Sequence, residues 1–179
     1  SLLCFIPKVT DAGGFCLSGE TRPIALSDTS YKVIASLLNY ILVEALPPFI
    51  DERQRGFMRG RQGIDHVMEL EAVAIGMGRS GSIAAACCLF DLRAAFPSLS
   101  HRCLTRALLK FCGGHPLGRI IIDLFLANEA SLLLFGRVVS GFAVLAGVRQ
   151  GCPLSGSLFA LCFHAIIVDL QLKVVHRSF

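Results

Sequence analysis

Asp91 is the only carboxylate between Glu71 and Asp123, and it lies at the end of a short apolar run, Ile83 to Leu92, that follows Gly81. A buried strand carrying a functional carboxylate at its end has this pattern, and so does a strand that merely finishes on an acid. Lys8 offers a point charge and Arg22, within Arg22-Pro23-Ile24, a planar fork; both suit phosphate oxygens, and both are also ordinary surface cations. Gln150 brings an amide able to make two hydrogen bonds, Gly151 permits close backbone approach, and Pro153 is suited to opening a helix. Arg53, Arg55, Arg59 and Arg61 form a basic loop with Gln54, Gly56 and Phe57. Such a loop, solvated, would follow a phosphate backbone, positioning nucleic acid without reading its sequence.

These residues fall into ordered blocks: Ile6-Pro7-Lys8 with Arg22-Pro23-Ile24, then Phe90-Asp91-Leu92-Arg93-Ala94-Ala95-Phe96, then Gly147-Val148-Arg149-Gln150-Gly151-Cys152-Pro153-Leu154-Ser155. Between the first two stand Gln54-Arg55-Gly56-Phe57 and Gly60-Arg61. Over essentially the whole chain they resemble the reverse transcriptases of LINE-type (non-long-terminal-repeat) retroelements and, more distantly, of group II introns. The resemblance implies an RNA-directed DNA polymerase that extends a DNA primer on an RNA template with dNTPs, using two Mg2+ ions. It makes Asp91 the catalytic, metal-binding carboxylate and the Leu92 carbonyl a further ligand, in keeping with the preference of magnesium for hard oxygen. Lys8, Arg22, the backbone N–H groups of Ala94 and Ala95, Phe96, Gln150 and Gly151 are implied to hold the nucleotide. Gln54, Gly56, Phe57 and Arg61 are implied to meet the template. The Phe96 ring would sit beneath the sugar and exclude a 2′-hydroxyl; by residue type alone it is equally a core residue opening the next helix.

Two positions depart from the family pattern. Ala94 stands where Lys is common and Pro97 where Asp is common, and Pro97 removes a backbone donor. The metal site is untouched by these changes, but the expected triphosphate affinity falls. The family's aromatic-Ala-Asp-Asp hairpin has no counterpart after Gln150, where Asp169 is a lone acid. The expected content is therefore fingers (about residues 1–82) and the first part of the palm (about 83–179), without the third carboxylate motif or thumb, and inactive alone.

The elements that must position these residues follow from periodicity. Ser27 to Ser30 offers N-caps for a helix through Tyr31, Ile34, Leu38, Ile41, Leu42 and Ala45, stopped by Pro47-Pro48. Val67, Leu70, Val73 and Ala74 suggest a second helix closed at Gly76-Met77-Gly78. Helices are expected over His101–Phe111, Leu117–Leu126 and Leu154–Leu172, and a hairpin about Gly136-Arg137. The fold class is α+β, a partial right-hand polymerase. Its palm sheet should pair Ile83–Leu92 with the hairpin, carry helices on one face, and hold Asp91 within a nucleotide's span of Phe96 and Gln150.

Composition sets outer limits. The 179 residues are 54% hydrophobic and 17% charged, against about 45–50% and 25% for soluble domains, so the chain is either membrane-bound or part of a larger body. The longest uncharged run, Gln150 to Val168, begins as a turn and leaves too little apolar length to span a bilayer. No membrane partner and no signal peptide are expected. The first half is net −1 and residues 83–179 net +5, which suits a polyanionic partner. Eight cysteines show no metal-ligand spacing, and Cys87 and Cys88 read as small core hydrophobes, consistent with an intracellular protein, nuclear or cytoplasmic by resemblance. The remainder of a polyprotein, possessing the palm hairpin, thumb and an endonuclease, is an implied partner. A non-catalytic nucleic-acid-binding remnant and a group II intron maturase are the alternative readings.

Overall fold

A computed structural model describes residues 1–8, 18–79, 87–126 and 128–175. Four strands form one mixed sheet in the order β2-β1-β3-β4: β1 (Leu2–Pro7), β2 (Thr21–Leu26), β3 (Glu129–Leu134) and β4 (Arg137–Ala143). β1 runs antiparallel to β2 and parallel to β3, and β3 and β4 form an antiparallel hairpin. The hairpin turns at Phe135-Gly136, one residue before the expected centre. Both residues have positive φ (49° and 75°), the conformation of the two-residue turn that matches strand twist. β1 and β2 were not anticipated from their composition. Each carries a proline, which speaks against a strand unless it lies at an edge or an end.

Among the described residues there are also five α-helices: α1 (Thr29–Ala45), α2 (Ile64–Arg79), α3 (His101–Cys112), α4 (Pro116–Leu126) and α5 (Ser155–Val175). Asp28 caps α1 by accepting from the Ser30 N–H at 2.8 Å, and Gly113 ends α3 in the left-handed conformation (φ 55°). One stripe of α1, Ala35, Leu38 and Leu42, packs with Leu46 against Leu104 and Leu108 of α3, Ile121 and Phe125 of α4, and Leu158 and Leu161 of α5. Truncating Leu42, fully buried, would cost about 3 kcal/mol. α2 continues through Gly76 and Gly78 to Arg79, because helix-interior glycine costs only about 1 kcal/mol and does not itself stop a helix. None of its residues is buried.

Three expectations need correction. Residues 87–92 form no strand, while the preceding part of the expected strand lies outside the described residues. A strand exists only through a ladder with a neighbour, and none of the four strands pairs with residues 87–92. Cys87 and Cys88 are exposed, not core. α5 is long and apolar enough to cross a membrane, contrary to the length argument. Its first turns fill the helical core through Leu158, Ala160, Leu161 and Cys162, while Ile166, Leu170 and Leu172 further along it are exposed.

Candidate nucleotide and nucleic-acid site

The separated sequence blocks meet. Arg22 lies directly opposite Ile6 in the β1–β2 register, and Lys8 follows two residues later, its N–H bonded to the Glu20 carbonyl at 2.8 Å. Alternation along a strand therefore places Lys8 and Arg22 on the same face of the ribbon, both exposed. The Ala25 N–H, on the outer side of β2, donates to the Gln150 carbonyl at 2.8 Å. Pro23 is two residues earlier, so its missing N–H falls on that same outer side, where no ladder partner needs it. Gly151 (φ 105°) sits so close that a Cβ would lie 3.0 Å from the Ala25 carbonyl oxygen.

A second junction joins Phe96 to the same loop. The Val148 N–H donates to the Phe96 carbonyl at 2.9 Å, the Gly147 N–H to that of Leu99 at 2.7 Å, and Ser100 bridges Ala146. His101 Nε2 donates to the Gly147 carbonyl at 2.9 Å. Gly147 (φ 89°) is required here, since a Cβ would lie 2.9 Å from both Cα and O of Pro97. Pro97 thus opens no helix: it belongs to the turns of residues 93–98, and α3 starts at His101. Within those turns Ala94 is held at φ 52°, a conformation that costs a non-glycine residue about 1 kcal/mol or more.

The loop after α1 closes over this junction. The Phe57 ring lies 5.5 Å from that of Phe96, which in turn is 5.2 Å from Phe159; Phe57 and Phe159 are 6.4 Å apart in edge-on contact. Gly156 leaves room for the Phe57 ring, as a Cβ there would come within 2.6 Å of it. Gln54 is buried and donates to the Gly56 carbonyl at 3.2 Å. The Arg61 guanidinium donates to four carbonyls, those of Asp51, Gln54, Pro47 and Ile50, at 2.6–3.2 Å. Arg53 and Arg59 are exposed, as a solvated loop requires, and the loop's other arginines are ion-paired: Arg53 with Asp51, Arg55 with Glu69 and Asp65, and Arg59 with Glu44. The carboxyl of Asp51 is held well below its usual range, chiefly by hydrogen bonds from Arg53. Of these arginines it is Arg61, through its four carbonyls, that holds the loop together.

Residues missed from sequence include Gly147, Gly156, Phe159 and Arg149. The Arg149 guanidinium carbon lies 4.7 Å from the Tyr31 ring centre and 5.6 Å from that of Phe125, and Nη2 donates to the Leu124 carbonyl at 3.3 Å. It fastens the Gln150 loop to α1 and α4. Burial pushes the Tyr31 phenol far up, with help from its contact with Cys152. An arginine next to a Gln-Gly pair in an otherwise apolar stretch was the available signal.

Asp91 stands apart from this convergence. It is exposed and makes no hydrogen bond or ion pair among the described residues, and Leu92 is half-exposed. Phe96 is the fifth residue after it, which keeps the two Cα atoms within roughly 17 Å. A cavity of about 170 Å³ opens beside it, between Leu92, Arg93, Ala95 and Leu99 on one side and Phe159 and Phe163 of α5 on the other. As metal donors, the Asp91 carboxylate and Leu92 carbonyl are hard oxygens of the right kind for magnesium. They are too few: no three potential ligand side chains cluster among the described residues.

Residues 6–179 match the reverse transcriptase (RNA-dependent DNA polymerase) family. The chain belongs to that family. It is also 26% identical over 174 residues to the transposon TX1 uncharacterized 149 kDa protein of Xenopus laevis, an alignment covering 97% of this reverse transcriptase chain. The chain spans about 13% of that relative's length.

Proposed function

We propose that this chain is the nucleotide-holding part of an RNA-directed DNA polymerase of LINE type, with residues 1–82 mainly fingers and 83–179 the first part of the palm. The observation supporting this most directly is the meeting of Arg22-Pro23-Ile24, Phe96 and Gln150-Gly151 through three short backbone junctions. In this reading Lys8 and Arg22 take the triphosphate, Gln150 and Gly151 pack against the new base pair, and Ala94 and Ala95 offer backbone N–H groups. Phe96, its ring braced by Phe57 and Phe159, presents a fixed rim to the sugar and rejects a 2′-hydroxyl. The loop clamped by Arg61 presents Gly56 and Phe57 to the template, so Arg61 acts by holding that loop. Asp91 and the Leu92 carbonyl would supply part of a magnesium site. With further carboxylates the site would supply two-metal chemistry, lowering the pKa of the primer 3′-hydroxyl and offsetting charge on the leaving pyrophosphate. The partners are then an RNA template, a DNA primer, dNTPs and the rest of a polyprotein, within the nucleus or cytoplasm.

A single side-chain carboxylate cannot hold two ions, so these 179 residues alone should not extend a primer. The test is primer extension on RNA by a longer protein that includes an Asp-Asp hairpin and thumb. Asp91→Asn should abolish incorporation without unfolding, and Phe96→Val should admit ribonucleotides. Copying by the Asp91→Asn protein at the parental rate would remove Asp91 from the mechanism.

A further inference from the structure

The nucleotide-holding blocks leave one charged surface unused. From Leu92 to Ile122 the sequence holds five Lys/Arg and no Asp or Glu. Three of them, Arg102, Arg106 and Lys110, recur every fourth residue along α3, so they stand in one row at steps of about 6 Å. All three are exposed and none forms an ion pair among the described residues, unlike the arginines of the loop after α1. They border an open groove of about 480 Å³ between α3 and α5, floored by Ala107, Cys162 and Ala165. The row begins one residue after His101, whose ring holds the Gly147 carbonyl, and so leads directly away from the Gln150-Gly151 loop.

From this the geometry points to α3 as a second nucleic-acid surface, a track that holds the phosphodiester backbone of a single strand as it passes the nucleotide-holding blocks. Three unpaired cations in one row present a line of positive charge along which the phosphates of a single strand can lie, releasing their counterions. The floor of small side chains has no deep apolar pocket of the sort that anchors a protein partner. Nothing aromatic lines the groove, so contact is with the backbone and independent of sequence. The proposal rests on the polymerase reading, but its test requires no polymerisation.

The test is fluorescence anisotropy of labelled 20-nucleotide single-stranded RNA and DNA, titrated with the 179-residue chain across a salt series. The variant carrying Arg102→Gln, Arg106→Gln and Lys110→Gln changes only exposed side chains. It should bind at least tenfold more weakly at low salt, and the slope of log affinity against log salt should fall by about 2. A control carrying Arg53→Gln, Arg119→Gln and Lys173→Gln loses equal charge from ion-paired positions and should retain the parental slope. Equal losses in the two triple variants would overturn the track. So would polyglutamate of the same length binding as tightly as RNA with the same sensitivity to the α3 changes, since the surface would then serve acidic polypeptides. Loss of activity on Asp91→Asn in the longer protein, with this binding unaltered, separates the two readings.

Discussion

Residues 87–92 and residues 96–100 are near neighbours in the chain and opposite in condition. The second stretch is joined to Ala146–Val148 by two backbone hydrogen bonds and a bridge, and its aromatic ring is enclosed by Phe57 and Phe159. The first has no ladder at all, with Leu89 85% and Phe90 91% exposed, although it is the more apolar of the two. Hydrophobicity therefore does not make a strand; a neighbouring backbone with free donors and acceptors does. β2, the Ala146–Gln150 loop and residues 96–100 lock onto one another, whereas the segment bearing Asp91 has no such partner among the described residues.

The sharpest way to break this contrast is substitution at Gly147. Gly147→Val forces a branched side chain into a left-handed backbone and against Pro97, and should cost about 3 kcal/mol or more in urea unfolding. Leu89→Ser, in the open stretch, should stay within about 0.5 kcal/mol of the parent. Equal effects would mean that residues 87–92 are packed after all. Hydrogen exchange should show the same division without mutation: the amides of Gly147 and Val148 protected at least about a hundredfold more than those of residues 88–92.

Arg61→Ala should cost about 2 kcal/mol, because four loop carbonyls lose their donor, and Arg61→Lys should not restore it. Arg53→Ala, at an exposed pair, should leave the unfolding midpoint unchanged. A separate effect is expected at alkaline pH. Burial pushes the Cys162 thiol up to about 12 from an ordinary 9, with Cys103 adding to the shift. Its contribution is complete below pH 9 and is lost as pH rises toward 12, because the unfolded chain gives up its proton first. Urea midpoints should fall across that window, less steeply in Cys162→Ala.

Helical parts of this fold were legible because they announce themselves locally. The Asp28 cap and the helical spacing of Leu38 and Leu42 need no distant information, although Ile34 and Ile41, read into the same stripe, are exposed and Ala35 is buried instead. The blocks proposed to hold the nucleotide stand out in the sequence by their order, but the contacts that join them do not. The aromatic cluster unites residues 57, 96 and 159, and no local period links such positions. Arg61 reads as a solvated charge until the path of the chain turns the carbonyls of Pro47, Ile50, Asp51 and Gln54 toward one point. β1 and β2 were obscured by prolines whose edge placement only the sheet reveals.

The two margins of that sheet differ in what they allow between molecules. On β2, Pro23 offers no donor and the Ala25 donor is already engaged by Gln150. On β4, Val138, Val139 and Phe142 are exposed and no described strand lies beyond. A sheet stopped on one side can recruit a second copy only once. Two molecules joining β4 to β4 about a two-fold axis consume both open margins and form a closed pair, so strand addition cannot propagate into a fibril.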